Sequence, residues 1–437
     1  MFDPESKENR KYKEYFDKKS LLIVDPSKSL RTTIKKIFND FGVAVNDIFT
    51  VNTVEEATDV LFNDNPHFVI TQDKLDGVDA VNSLLPIHIA NRPNRLYSGF
   101  YLISPDNSLA SVIAVLEYEV DAYIAQPFTV NNILDTLLLS IDKKISPTPY
   151  VEKIEDTKEY IHKENFQKAL DLSEESFRLS NKPGKSYFYK GLIKQKGFDD
   201  ISEAIDAYTK GLEFLPDDYK LLNNLSTIFY DQKNYQDAYQ LSKKLREKHP
   251  TNPKSFPMIV KLAIHTSNHE DIIEICNFFQ QVEDLEEKMK NYIAASLTTC
   301  AIYFFNNDKK EDALMCLENG IDSCTKYEIL ESIVKLLISK REFARADNYL
   351  NSFNKRTHFK HAKNIQCLRM QILIDGGNVG EAFEIGNGMI KEGTDIAEVY
   401  LLMIKIGKKS GKSTSFIEEI RREAIRKFPQ DKEKFIN

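Results

Sequence analysis

The 437-residue sequence contains no tryptophan, only 16 glycines and five cysteines, and no long uninterrupted apolar run. A membrane-spanning helix needs about 20 mostly apolar residues, so the sequence predicts no membrane insertion. The polar N-terminus predicts that there is no signal peptide. The cysteines are scattered, odd in number and without a CxxC pair. This pattern predicts reduced thiols in a cytoplasmic protein rather than disulfides or a zinc site.

Motifs typical of catalysis are also missing. There is no HExxH, no GxSxG and no glycine-rich phosphate loop, each of which places the reacting groups of a large enzyme class. The sequence therefore predicts a protein that is not an enzyme and carries no cofactor. The net charge is −7 and no basic domain emerges, which argues against a nucleic-acid partner.

Short apolar runs alternate with amphipathic segments in the first third of the chain. Five of these runs predict strands, because they are short and rich in β-branched or aromatic residues. They cover residues 21–24, 48–51, 68–71, 100–103 and 122–125. Strands that alternate with helices predict a doubly wound parallel sheet, and such sheets place their chemistry at the carboxyl ends of the strands.

These patterns divide the chain into four parts. We expect a charged leader over residues 1–19, an α/β domain over 20–145, a proline linker over 146–150 and an all-α region over 151–437. The linker contains Ser-Pro-Thr-Pro. Proline removes a backbone donor and restricts the residue before it, so this segment ends the last helix of the α/β domain.

The helical segments beyond the linker repeat at a fixed interval. Ala204 and Ala238 are 34 residues apart, as are Pro216 and Pro250. The small residues let the two helices of a hairpin approach closely, and the proline ends the second helix. This period resembles that of tetratricopeptide repeats. The resemblance implies seven or eight hairpins, most regular over 184–250, and a groove that binds a peptide or a helix of a protein partner.

The first domain resembles the receiver domain of response regulators. The resemblance rests on VDPS at 24–27, VNTVEEA at 51–57 and AYIAQPFT at 122–129, with five strands in order. A receiver holds magnesium on two acids after its first strand and accepts phosphate on an aspartate after its third. It has a hydroxyl after the fourth strand and a lysine after the fifth. The resemblance assigns these positions, in the same order, to Asp25 and Pro26, Gln72, Ser104 and Gln126.

Three charged groups of that site are replaced. A carboxamide at position 72 neither attacks phosphorus nor binds magnesium well, and Pro26 offers no ligand. Gln126 supplies no cation to neutralise an acyl phosphate. The sequence thus predicts a receiver fold that binds no magnesium and takes up no phosphate. A slip of one residue would make Asp73 the acceptor, but the alternation of side chains along a strand argues against it.

The two resemblances imply two interaction surfaces. The repeat groove would be lined mainly by the first helix of each hairpin, where a lysine and an asparagine resemble the clamp that some tetratricopeptide proteins place on a peptide carboxylate. Its candidate residues are Lys185, Phe188, Gln195, Lys220, Asn223, Thr227 and Tyr230. The second surface is a receiver face on which two copies would pair through Val112, Leu116 and Tyr118.

Together these features predict a non-catalytic signalling adaptor or scaffold of the bacterial two-component type, located in the cytoplasm. Its receiver would act without phosphorylation, and its repeats would hold a protein. Two alternatives stay open. The chain is a phosphorylation- or ligand-regulated switch that uses Asp73 or Asp25, or it is a structural assembly factor for a cell-surface machine.

Overall fold

The computed structural model describes residues 6, 10–104, 120–248, 256–281, 285–357 and 359–436. The chain divides into two compact units, Met1–Leu262 and Ala263–Asn437. The first unit contains a parallel sheet with its helices and then the first helix pairs. The described residues of the second unit form helices and their connections.

A five-stranded parallel sheet forms the beginning of the first unit. The described strands are β1 (Leu21–Val24), β2 (Ile48–Val51), β3 (Phe68–Gln72), β4 (Lys74–Leu75), β5 (Val78–Asp79), β6 (Gly99–Ser104) and β7 (Ala122–Ala125). The sheet order is β2-β1-β3-β6-β7, with every neighbouring pair parallel. The five predicted strands are all present, with β3 and β6 extended at one or both ends.

Helices cover both faces of this sheet. They are α1 (Arg10–Phe16), α2 (Lys28–Asp40), α3 (Val54–Asn63), α4 (Ala80–Asn91) and α5 (Val130–Ile145). Leu21 and Ile23 join a core with α1, α2 and α5, whereas Leu22 and Val24 join a core with α3 and α4. Alternate residues of β1 therefore serve opposite faces, as the period of a strand requires. The predicted doubly wound sheet is confirmed.

Two short elements differ from the sequence-based picture. The segment expected to be a charged leader contains α1, whose Tyr12 and Phe16 are 4% and 0% exposed in the core of the domain. The loop after β3 folds into the β4–β5 hairpin around Asp76 and Gly77, with φ of 50° and 81°. Two consecutive residues with positive φ are typical of the tight turns that Asp-Gly favours.

Eight consecutive helix pairs follow in the described part of the chain. They are α6 (Pro149–His162) with α7 (Phe166–Ser176), α8 (Gly184–Gly197) with α9 (Ile201–Phe214), α10 (Tyr219–Asp231) with α11 (Tyr235–Lys248), α12 (Phe256–His265) with α13 (His269–Gln280), α14 (Glu287–Asn306) with α15 (Lys310–Ser323), α16 (Tyr327–Ser339) with α17 (Phe343–Arg356), α18 (Ala362–Asp375) with α19 (Val379–Lys391), and α20 (Ala397–Lys409) with α21 (Thr414–Lys427). A short α22 (Lys432–Ile436) ends the described chain. The predicted succession of α-helical repeats after the sheet is confirmed.

The turn inside each pair uses the same backbone device. One residue of every such turn has a left-handed backbone, with φ between 52° and 92°. These residues are Glu164, Asp199, Lys233, Ser267, Asp308, Arg341, Gly377 and Gly411. A single left-handed residue after a helix redirects the chain sharply. The eight turns are thus structurally equivalent although only two contain glycine there.

Two kinds of close contact hold the repeats together, one within a helix pair and one between successive pairs. In the first unit, a Cβ on Gly191 would lie 2.6 Å from the ring of Tyr208, so only glycine permits this approach of α8 to α9. In the second unit, Arg356 Nη1 donates to the carbonyl of Asp322 at 2.8 Å, and Lys427 Nζ donates to that of Gly393 at 2.9 Å. Both bonds join residues 34 positions apart. Equivalent positions of successive repeats therefore meet.

Candidate functional site

The carboxyl ends of β1 and β3 form the crevice where an open α/β sheet places its chemistry. The strand order reverses between these two strands, which opens the sheet edge at that point. Val24 pairs with Thr71, so Asp25 and Gln72 come next in register. Gln72 Nε2 donates to Asp25 Oδ2 at 2.7 Å. The amide at the predicted acceptor position therefore contacts the acid after the first strand.

Asp25 is almost completely buried at this edge, with 1% of its surface exposed. Its Oδ1 accepts the Ser27 N–H at 2.7 Å, and its main-chain oxygen accepts from the Arg31 guanidinium. Burial raises the pKa of Asp25, and the hydrogen bonds from Ser27 and Gln72 only partly oppose that shift. A cation at this carboxylate would have to compete with the Gln72 amide.

Asp73 makes a different set of contacts. Its Oδ2 accepts from the hydroxyl of the buried Ser104 at 2.7 Å, and its Oδ1 accepts the Lys74 N–H at 2.9 Å. Gln72 therefore reaches toward β1, whereas Asp73 reaches toward β6. This division follows from the opposite directions of adjacent side chains on a strand.

The remaining predicted receiver positions lie at the same edge. The Gln126 N–H donates to the Ser104 carbonyl at 2.8 Å, and the Gln126–Pro127 peptide is cis. Pro26 is exposed. Within the described ranges, no three His, Cys, Asp or Glu side chains are arranged to hold a metal ion. In the same part of the chain, no helix is both long enough and apolar enough to span a membrane.

The predicted groove residues lie on two neighbouring first helices. Lys185, Phe188 and Gln195 are on α8, and the other four are on α10, namely Lys220, Asn223, Thr227 and Tyr230. The two sets meet where Lys220 Nζ lies 5.9 Å from the centroid of the Phe188 ring.

Two of these predicted groove residues contact the second helix of their own pair. Phe188 is 9% exposed and its ring lies 4.9 Å from that of Tyr189 and 6.1 Å from that of Tyr208. Gln195 Oε1 accepts from the Tyr208 hydroxyl at 2.9 Å. Both side chains therefore help to hold the α8–α9 pair together, and the groove itself stays a prediction. Lys185 is exposed, and Asn223 and Thr227 are half-buried.

The predicted pairing face lies outside the described residues. Val112, Leu116 and Tyr118 fall within residues 105–119, so receiver pairing stays a prediction. The five cysteines, in contrast, are all described, and they are buried free thiols. Burial raises the pKa of Cys324 to about 11 and that of Cys316 to about 12.

A charged cluster at the opposite, amino-terminal edge of the sheet was missed by the sequence analysis. Asp121, just before β7, accepts from the Arg95 guanidinium, from Lys144 Nζ and, at 2.7 Å, from the Phe100 N–H. The three charged side chains are between 7% and 10% exposed. Burial opposes the ionisation of Asp121, but Arg95 and Lys144 outweigh it and lower the pKa of that carboxyl.

Comparisons with known proteins give no family. No protein-family model and no curated protein matches the chain. Among solved structures, the chain is similar to Naa15/Naa10 bound to HypK-THB, with 16% identity and a TM-score of 0.45 over 64% of this chain and 42% of that one. It thus spans less than half of that chain. It is also similar to the BeF3-activated DrrB receiver domain, with 18% identity and a TM-score of 0.24 over 28% of this chain and 97% of that one. For Pseudomonas aeruginosa pilF the identity is 14% and the TM-score 0.26, over 59% and 97% of the two chains.

Proposed function

We propose that the chain is a non-catalytic cytoplasmic adaptor of the two-component type, whose receiver-fold domain takes up no phosphate and whose repeats hold a protein partner. The Gln72–Asp25 hydrogen bond of 2.7 Å carries this proposal. A neutral carboxamide stands where a receiver needs a nucleophilic carboxylate. The same amide engages the acid that would otherwise bind magnesium through its oxygens.

The surroundings of this pair support the same conclusion. Pro26 and Gln126 replace a magnesium ligand and the cation that an acyl phosphate needs. Asp73, the rival acceptor, is hydrogen-bonded to Ser104 rather than to Asp25. A phosphoryl group on Asp73 would displace that bond.

The first test is the intact mass of the full chain after incubation with acetyl phosphate and magnesium, beside a beryllofluoride titration. We expect an unchanged mass and no beryllofluoride binding. The matched variant combines Pro26→Asp, Gln72→Asp and Gln126→Lys, and it should gain a phosphate adduct. An adduct on the native chain, mapped to Asp73 or Asp25, would overturn the proposal in favour of a regulated switch.

The partner is proposed to be a peptide or helix that carries a carboxylate. The support is the exposed Lys185 on α8 together with the half-buried Asn223 on the adjacent α10. A lysine and an amide at this spacing suit a carboxylate, because charge-assisted hydrogen bonds are the stronger ones. The receiver fold would then serve as a docking or pairing module that is independent of phosphate.

The groove is tested with a partner protein that has been isolated by affinity purification on the immobilised full chain. The affinity of this partner is then measured for each variant. Lys185→Ala and Asn223→Ala should each weaken binding about tenfold, which corresponds to about 1.4 kcal/mol. Lys210→Ala is the matched control, because Lys210 is exposed on the second helix of the same pair. Equal affinity of all three variants would exclude this groove. A partner from a pilus, flagellum or secretion system would favour an assembly factor over a signalling adaptor.

A further inference from the structure

Four of the seven residues between α4 and β6 are buried, which is unusual for a loop. Asn94 is 9% exposed, Arg95 and Leu96 are each 6% exposed, and Ser98 is fully buried. Loops normally run over the surface, because buried backbone polar groups need partners. Residues 92–98, here called the junction loop, must therefore be covered and hydrogen-bonded by other elements.

The sheet domain supplies the first set of partners. The Tyr15 hydroxyl on α1 donates to the Leu96 carbonyl at 2.6 Å. Lys144 Nζ on α5 donates to the carbonyls of Arg95 at 2.5 Å and of Ser98 at 2.9 Å. These bonds fix the main chain of the junction loop from its own domain.

The first repeat helix supplies the second set. On α6, Glu155 Oε2 accepts the Arg95 N–H at 2.9 Å, and Glu159 Oε2 accepts from Asn94 Nδ2 at 3.3 Å. His162 Nε2 lies 3.0 Å from the Ala90 carbonyl at the end of α4. Positions 155, 159 and 162 share one side of a helix because they are spaced by four and three residues. The C-terminal half of α6 therefore contacts the sheet domain along one side.

Charge explains why this contact is specific. Arg95 and Lys144 place two cations beside the single buried carboxylate of Asp121. Glu155 adds a second carboxylate at the same place and pairs with Lys158 at 3.0 Å, with both side chains 13% to 15% exposed. Buried charges are stable only when they are paired and hydrogen-bonded. A carboxylate from the repeats thus acts electrostatically on Lys144 of this cluster, while Lys158 and the Arg95 N–H hold it in place.

An array of helical repeats needs a cap at each end, because the outer side of a terminal repeat has no neighbour to cover it. We propose that the receiver-fold domain is the N-terminal cap of the repeat array, and that Glu155 and Glu159 hold it on α6 through the junction loop. This function needs neither phosphate nor a groove ligand. It gives the domain a reason to keep its fold after losing the charged groups of its site.

Hydrogen exchange of the full chain tests the cap. Glu155→Gln removes the charge but keeps the shape, so the charge-assisted hydrogen bond from the Arg95 N–H becomes a weaker neutral one. Amides of the junction loop, α6 and α7 should therefore exchange up to about tenfold faster. Amides of α10 and α11 should be unchanged. The control is Glu152→Gln, since Glu152 is exposed on the same helix. If the amides of α6 and α7 exchange at native rates in Glu155→Gln, the sheet domain does not stabilise the first repeat, and the proposed capping role is wrong.

A charge exchange tests the second contact without removing side chains. Asn94→Asp alone sets two acids together, and Glu159→Lys alone removes the acceptor of Asn94. Each single change should accelerate exchange in α6 severalfold. The double variant should return to within about threefold of the native rates, because an acid and a lysine again face each other. Additive effects in the double variant would overturn the docking role of this pair.

Discussion

The carboxylates at the two edges of the sheet have different kinds of partner. At the carboxyl edge, each carboxylate bonds a neutral side-chain donor, Asp25 with the Gln72 amide and Asp73 with the Ser104 hydroxyl. At the amino edge, Asp121 lies between two cations. Open α/β sheets usually place their reacting groups at the carboxyl edge. Here a cluster of three paired, largely buried charges lies at the other edge, where the domain meets the repeats.

The largest difference between the edges should appear when Asp121 is neutralised. Asp121→Asn leaves Arg95 and Lys144 buried without their shared carboxylate, which typically costs about 3–5 kcal/mol. Because a chain of several units need not unfold in one step, the loss is best measured by hydrogen exchange of peptides from β6 and β7. Asp142→Asn is the control, since its side chain is 45% exposed and pairs with Lys11, an interaction worth at most about 1 kcal/mol. Equal losses in the two variants would contradict the importance of the amino-edge cluster.

A smaller effect is expected at the carboxyl edge when Ser104 is changed. Ser104→Ala removes the hydroxyl that donates to Asp73, while the Lys74 N–H remains on the other carboxylate oxygen. A hydrogen bond to a charged group contributes about 1.5 kcal/mol at the lower end of its range. The loss should be seen in the urea midpoint of the first unit. Ser104→Thr keeps a hydroxyl and should lose less; a reversed order of the two variants would show that packing, not the bond, dominates.

Much of the sheet could be predicted from the sequence because its signals are local. Each strand is a short run of apolar or β-branched residues, and the strand register places position 72 directly beside Asp25. The hairpin after β3 also had a local signal, the Asp76-Gly77 pair, which favours a tight turn.

The amino-edge cluster could not be predicted in the same way. Arg95, Asp121, Lys144 and Glu155 come from four separate segments, and each is an ordinary charged residue in its own context. Only the parallel sheet and the docking of α6 bring them together. The burial of α1 could not be predicted for a related reason. Most residues of this segment are charged or polar, and only the three-dimensional fold shows that Tyr12 and Phe16 enter the core.

The two edges should also differ in the sign of their pH dependence. Burial raises the pKa of Asp25, so between its ordinary and its raised pKa the folded chain binds more protons than the unfolded chain. Its contribution to stability therefore falls as the pH rises through that window. Asp25→Asn should stabilise the chain at pH 7, and this gain should shrink as the pH falls through the raised pKa and vanish below the ordinary value of about 4.

Asp121 should behave in the opposite sense, because Arg95 and Lys144 lower its pKa despite burial. Its contribution is present above the ordinary pKa of an aspartate and is lost as the pH falls through the lowered value. The measurement is the shift of the urea midpoint of Asp25→Asn and of Asp121→Asn relative to the native chain. At pH 7 the two shifts should have opposite signs, and below pH 4 the difference between them should become smaller. If Asp25→Asn also destabilises at pH 7, the hydrogen bonds that the Asp25 carboxylate accepts from Ser27 and Gln72 outweigh the cost of burying its charge, and the predicted contrast between the two edges is wrong.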